Sequence, residues 1–275
     1  MNPTGVASAT RVTSRNGTPI GYFTSGDGPP LLLVHGSLGD HTRWDVLRPY
    51  LEPHVTVHAM DRRGRGASGD LPDYAIEREY EDVAAVVDRI AAEAGSGVDV
   101  YCSSFGGLCT FGAATLSASI RSLALYEAWP PVRPEAFALP AGLMERVEAL
   151  LAGGKREAAL EAAYREGLGL SEEQLDEVRA QPSWPAQIAA AHTLPREDRA
   201  FSATPFDARQ AAKIGVPTLL LAGSQSPAWR PEVETVAAAL PDARIVVLEG
   251  QGHGADLFAP ERVAEALLTF LRQQS

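Results

Sequence analysis

Apolar residues along this chain fall into short runs, and helically spaced stretches lie between them. The runs are Leu31 to Val34, Val55 to Met60, Val98 to Cys102, Leu123 to Tyr126, Thr218 to Ala222 and Ile245 to Leu248, each bounded by turn residues. Runs of four to six residues with little polar alternation suit strands buried on both faces, as in a parallel sheet. Between them, residues 75–94 set Ile76, Tyr80, Val83, Val87 and Ile90 at spacings of four, three, four and three, one apolar stripe on a solvated helix. Further helices are predicted over residues 41–51, 105–118, 231–240 and 258–272. Upstream, Arg11-Val12-Thr13 and Ile20-Gly21-Tyr22-Phe23 flank Asn16-Gly17, a tight-turn dipeptide that predicts a hairpin. Strand and helix in alternation predict an α/β fold with a mostly parallel, doubly wound sheet.

Residues 130–214 break this rhythm. They open on Pro130-Pro131, carry amphipathic pieces such as Leu143-Val147-Leu150, and are punctuated by Gly153-Gly154, Pro182, Pro185 and Pro195, with no strand-like run. A helical block between two strands of a sheet reads as a cap over the sheet's carboxyl edge, where open α/β folds bind ligands. The expected organisation is therefore a core of residues 1–129 and 215–275 with a helical cap of residues 130–214.

The chain has 275 residues, enough to bury about three quarters of its unfolded surface without disulfides or structural metal. With 24 basic and 35 acidic residues its net charge is −11, which repels phosphate backbones, so nucleic acid is not an expected partner. The two cysteines, Cys102 and Cys109, are too few and too close for a disulfide framework and read as reduced thiols of a cytoplasmic protein. Residues Met1 to Ser8 lack the charged and apolar regions of a signal peptide. No run reaches the ~18 apolar residues that a membrane span needs. The expected partner is thus a small molecule, with no membrane; oligomeric state is not legible in these patterns.

One strand-to-helix junction carries chemistry. Val98-Asp99-Val100-Tyr101-Cys102-Ser103-Ser104-Phe105-Gly106-Gly107 runs from strand into helix and resembles the nucleophile elbow of the α/β-hydrolase superfamily, Gly-x-Ser-x-Gly. Three further segments occur in the family's order. His35-Gly36-Ser37 resembles its oxyanion turn, Asp61-Arg62-Arg63-Gly64-Arg65-Gly66-Ala67-Ser68 its Asp-x-Arg-Gly-x-Gly-x-Ser segment, and Gly250-Gln251-Gly252-His253-Gly254 the loop that bears its catalytic histidine. The resemblance spans the chain apart from the cap and points to the capped serine hydrolases of the esterase and haloperoxidase-like branch.

The elbow needs small residues two before and two after the nucleophile. Ser104 has Cys102 and Gly106 there, whereas Ser103 would have Tyr101 and Phe105, so Ser104 is the expected nucleophile. His253 is the expected base, since a serine hydroxyl is a poor nucleophile until a base takes its proton. The resemblance implies oxyanion donors from the Phe105 amide at a helix N-terminus and from the amide of Ser37 or Leu38.

The family's acid usually lies three residues beyond a Gly at the end of the penultimate strand, but here Thr218-Leu219-Leu220-Leu221-Ala222-Gly223-Ser224-Gln225-Ser226 puts Ser226 at that position. Glu127, at the end of the strand beside the nucleophile strand, is the expected substitute; Asp256 and Glu232 are the alternatives. His35, Trp129, Phe137, Trp184 and Trp229 are expected to line a substrate pocket. His54 and His58 have no third ligand nearby, so no metal is expected; the resemblance implies no cofactor, and it makes the Arg62–Arg65 cluster a structural turn. The expected activity is hydrolysis of an ester, lactone or thioester through an acyl-enzyme. The vacant acid position leaves open a second reading, a non-hydrolytic cyclase or lyase of the same fold or a small-molecule binding protein.

Overall fold

The computed structural model describes residues 8–274, so all but the last residue of the Met1–Ser8 stretch lies outside the described residues. Its sheet has eight strands: β1 (Thr10–Thr13), β2 (Pro19–Ser25), β3 (Pro30–Val34), β4 (Thr56–Met60), β5 (Val98–Ser103), β6 (Ile120–Tyr126), β7 (Thr218–Gly223) and β8 (Ala243–Leu248). Their spatial order is β1-β2-β4-β3-β5-β6-β7-β8. β1 and β2 form the antiparallel hairpin, β2 joins β4 antiparallel, and every later pairing is parallel. This is the doubly wound sheet that the apolar runs predict.

Alternation along each strand divides the core in two. Leu32 and Val34 of β3 join Val100 and Cys102 of β5 on one face, packed on Val83, Val87 and Ile90 of the Ile76–Ala94 helix. Leu31 and Leu33 point to the other face with Tyr101, where Val263, Leu267 and Phe270 of the Pro260–Arg272 helix cover them. Each such side chain contributes roughly 1.5–3 kcal/mol by leaving water. β8 departs from the two-sided burial expected of its run. It is an edge strand, and Ile245 is 38 % exposed.

Several helices begin or end where proline or glycine dictates rather than where periodicity suggests. Residues 41–51 divide into His41–Trp44 and Arg48–Leu51, because Pro49 lacks an N–H and suits only a helix's first turn. Pro231 likewise sits in the first turn of the short Arg230–Glu232 helix that precedes Val233–Ala239, and Pro260 opens Pro260–Arg272 after Ala255–Phe258. The elbow helix stops at Ala113 rather than 118. The Ile76–Ala94 helix closes on Gly95, whose left-handed φ of 66° lets its amide reach Ala91 O.

The chain between β6 and β7 contains no strand among the described residues; its larger helices are Leu143–Ala152, Arg156–Ala162, Glu172–Arg179, Trp184–Ala190 and Leu194–Ala203. Its apolar residues form two small clusters of their own, Leu143-Val147-Ala159-Ala162 and Leu160-Leu175-Trp184-Ala191, and the second also takes in Leu38 from the loop after β3. Phe137, Phe201 and Phe206 instead pack against the core cluster beneath.

Candidate active site

The sheet's register brings the chemistry-bearing loops level. Val34 of β3 lies opposite Cys102, Ser103 of β5 opposite Tyr126, and Tyr126 of β6 opposite Leu221 of β7. One or two residues beyond those pairs stand Gly36, Ser104, Glu127 and Gly223, all at the sheet's carboxyl edge. β8 ends opposite Gly223 at Leu248, and its following loop carries His253.

Ser104 sits between β5 and the Phe105–Ala113 helix with φ 53° and ψ −131°, the strained geometry of a sharp strand-to-helix turn. Space around it is tight. A Cβ on Gly106 would lie 2.5 Å from Val34 O, and one on Gly36 would lie 2.8 Å from Ser104 Cβ. Three non-glycine residues among those described have positive φ, and they are Leu38, Ser104 and Glu127. Such strain costs on the order of 1–3 kcal/mol each and persists only where surrounding contacts over-determine it. All three are residues that the resemblance nominated.

Glu127 is fully buried. Its Oε2 accepts a hydrogen bond from His253 Nδ1 at 2.7 Å, and its Oε1 accepts one from the Gly223 amide at 2.7 Å. Its own amide donates to Leu221 O, which pins the carboxylate from both ends. A carboxylate facing Nδ1 favours the imidazole tautomer whose proton sits on that nitrogen. The imidazole stacks on Trp229, ring centroids 5.5 Å apart and planes 2° from parallel. Ser104 Oγ makes no hydrogen bond to His253 among the described residues.

The alternative acids are occupied elsewhere. Asp256 receives Arg43 Nη2 at 2.7 Å, and Glu232 receives the Val132 and Arg133 amides at 3.1 and 2.7 Å. Ser226 is buried and its Oγ has no hydrogen-bond partner. His35 departs from the expectation that it lines a pocket. It is fully buried, its Nδ1 bonds to Gly36 O, and its Nε2 accepts from the Arg62 amide, so it braces the turn. Burial and the nearby Arg65 and Arg62 charges push its pKa well down, which keeps the ring neutral. Trp184 donates to Glu157 from within the Leu38 cluster. Trp129, fully buried, meets Trp229 edge to face at 5.4 Å, and Phe137 meets Trp229 at 4.6 Å. Ser37 is exposed, and Leu38 and Phe105 are buried. Periodicity did not flag Gly223 as the partner of Glu127; the signal that could have found it is a glycine at a strand end, and the structure shows why it is needed, with Gln251 O only 2.3 Å from where its Cβ would be.

The basic cluster is turned inward. Arg63 forks onto Asp82 at 2.6 and 2.8 Å, while Arg62 and Arg65 share Glu197. Among the described residues, Asp40, His41 and Asp61 bring three potential metal-binding atoms within 4.8 Å of one another. His41 and Ala67 already occupy Asp61, and Thr42 occupies Asp40, so the group reads as a self-satisfied turn. His58 bonds instead to Thr24. Two surface cavities, of about 930 and 470 Å³, follow the seam between residues 64–76 and the 186–204 helices; both include Asp70 and His192, and neither is lined by Ser104, Glu127 or His253.

Residues 31–266 match the model of the alpha/beta hydrolase family. The chain belongs to that family. An alpha/beta hydrolase from Sphaerobacter thermophilus is 38% identical, with 95% of this chain and 100% of that one aligned and a TM-score of 0.81. A thermophilic esterase from Thermogutta terrifontis is 25% identical over 98% of this chain and 99% of its own, with a TM-score of 0.71. A non-heme haloperoxidase from Rhodococcus erythropolis is 28% identical over 273 residues, which cover 94% of this chain and 98% of that protein. No helix among the described residues is long and apolar enough to cross a membrane.

Proposed function

We propose that this family member is a serine hydrolase that cleaves an ester, lactone or thioester of a small organic substrate through an acyl-enzyme. The observation that carries the reading is the buried Glu127 carboxylate on His253 Nδ1 at 2.7 Å. It supplies from β6 the acid missing at Ser226.

In this reading Ser104 Oγ attacks the substrate carbonyl while His253 Nε2 takes its proton. Glu127 holds the imidazole in the tautomer that exposes Nε2 and stabilises the imidazolium that forms. The tetrahedral oxyanion is held by the Phe105 amide, at the positive end of the elbow helix, and by the Ser37 or Leu38 amide. His253 then gives its proton to the leaving alcohol or thiol. Water, activated by the same base, releases the acid and restores Ser104. Residues 130–214 act as the cap, and Trp129, Phe137 and Trp229 supply apolar walls beside His253. Similarity to a thermophilic esterase supports ester hydrolysis.

The test is a panel of p-nitrophenyl esters, lactones and thioesters assayed with wild type, Ser104→Ala and His253→Ala. Hydrolysis abolished in both variants is expected. A folded wild type inert across the panel would favour the non-hydrolytic alternative.

A further inference from the structure

The buried charge network beneath the oxyanion turn has a geometry that packing alone does not require. Arg62 and Arg65 occupy the two variable positions flanking Arg63-Gly64 in the Asp-x-Arg-Gly-x-Gly-x-Ser segment, and both are nearly or wholly buried. Arg62 touches both halves of the proposed oxyanion site. Its Nη1 donates to Gly36 O at 3.2 Å, its amide donates to His35 Nε2 at 3.2 Å, and its guanidinium lies over the Phe105 ring, 4.5 Å from the centroid. These contacts brace the residues before Ser37 on one side and the Phe105 side chain, next to Ser104, on the other.

Two carboxylates aim that guanidinium. Glu79 of the Ile76–Ala94 helix receives Nε and Nη2 at 3.1 and 2.7 Å. Glu197 of the Leu194–Ala203 helix receives Nη2 at 3.0 Å and, through the same oxygen, Arg65 Nη2. Burial alone would raise the Glu197 pKa, but the Arg62 and Arg65 charges outweigh it and hold the group at about 2, with a smaller contribution from the Ser37 side chain. The two cations and two carboxylates balance in charge. Glu197 is the member supplied by the segment between β6 and β7.

We propose that Arg62 is a positioning residue for both walls of the oxyanion site, and that Glu197 is the carboxylate by which the inserted helical segment sets it. The proposal rests on the serine-hydrolase reading above. A displaced insert withdraws Glu197, frees Arg62 to turn toward Glu79 alone, and loosens the Gly36 turn against Phe105. The insert therefore bears on the transition state through Glu197.

A purely structural salt bridge would affect stability without discriminating between transition state and ground state. The experiment accordingly measures kcat and KM for p-nitrophenyl acetate, and the inhibition constants of a trifluoromethyl ketone and its non-fluorinated analogue. The fluorinated ketone adds to the serine and needs the oxyanion donors, whereas the plain ketone reports ground-state binding. These are compared in wild type, Glu197→Gln and Arg62→Lys, each first shown by thermal denaturation to be folded at the assay temperature. The expected result is a loss of about 10–100-fold in kcat and in trifluoromethyl ketone affinity, with KM and plain-ketone affinity nearly unchanged. Should Glu197→Gln not fold, Arg65→Met/Glu197→Gln removes one charge of each sign and carries the same comparison. Folded variants that match wild type, or that lose both ketones equally, overturn the proposal while leaving the hydrolase intact. A wild type that neither hydrolyses the ester nor binds the fluorinated ketone overturns the underlying reading, and the proposal with it.

Discussion

Glu127 and His253 lie 126 positions apart in the chain and 2.7 Å apart in the fold. Their meeting follows from strand order. β6 ends at Tyr126 between β5 and β7, so the next residue stands beside the elbow and under the loop that follows β8. The Gly223 amide at the end of β7 then fixes the carboxylate's second oxygen. In the proposed mechanism Glu127 stands in for a penultimate-strand acid, and Ser226 is left buried with an unpartnered hydroxyl.

Replacing Glu127 by Gln keeps its size but lets the amide stabilise the wrong imidazole tautomer. In a well-studied serine protease the equivalent change lowers kcat by about 10⁴, and a fall of about 10²–10⁴ is expected here, with KM little changed. Steady-state kinetics on the best ester substrate check it. Adding Ser226→Asp to Glu127→Ala should recover part of the loss, because position 226 lies one turn beyond Gly223. Recovery read as kcat relative to Glu127→Ala alone tests whether the acid can be supplied from either strand.

Gly36→Ala is expected to impair catalysis more than folding. The new Cβ would sit 2.8 Å from Ser104 Cβ and 3.4 Å from its Oγ, so the nucleophile must shift by several tenths of an ångström. A misplacement approaching 1 Å can cost about 10²-fold in rate. Kinetics together with circular dichroism separate the two effects.

His58 makes stability depend on pH. Burial pushes its pKa down to about 4 in the folded chain, against an ordinary value of 6.5. Between those values the unfolded chain binds the proton and the folded chain does not, so this group's contribution is complete above pH 6.5 and is lost as pH falls toward 4. Its share is on the order of 3 kcal/mol. Denaturant titrations at pH 7 and 4.5 should show a smaller drop for His58→Gln than for wild type. Asp82, which burial raises to about 6, acts in the opposite sense in both proteins and cancels from that comparison.

Trp229 joins the aromatic cluster to the base. It is 7% exposed and touches Trp129, Phe137, Phe201 and His253. Trp229→Ala should therefore cost about 3–5 kcal/mol in unfolding free energy and lower kcat by freeing the imidazole. Trp229→Phe, which keeps a ring against His253, should recover most of both, as read by denaturant midpoints and kinetics.

Much of the fold was legible because its signals are local. The apolar runs at Leu31–Val34 and Thr218–Ala222 mark strands inside the sheet, and small residues around Ser104 distinguish it from Ser103. What escaped the sequence depends on long-range contacts. Nothing near Asp256 announces that Arg43, 213 residues upstream, occupies it, nor that the 132 and 133 amides occupy Glu232. His35 looks like a pocket residue until the Arg62 amide is seen to satisfy its Nε2. The Arg62–Arg65 cluster reads as a turn, but its pairing with Glu197, 135 residues beyond Arg62, is not announced by any local pattern.

The central claim is that Ser104 is an activated nucleophile. Reaction with a fluorophosphonate followed by peptide mass spectrometry tests it most directly. The account predicts one covalent adduct, on Ser104, absent from Ser104→Ala and formed much more slowly in Glu127→Gln. A folded wild type that a small fluorophosphonate leaves unmodified, or modifies at Ser103 or Ser37 instead, would contradict it.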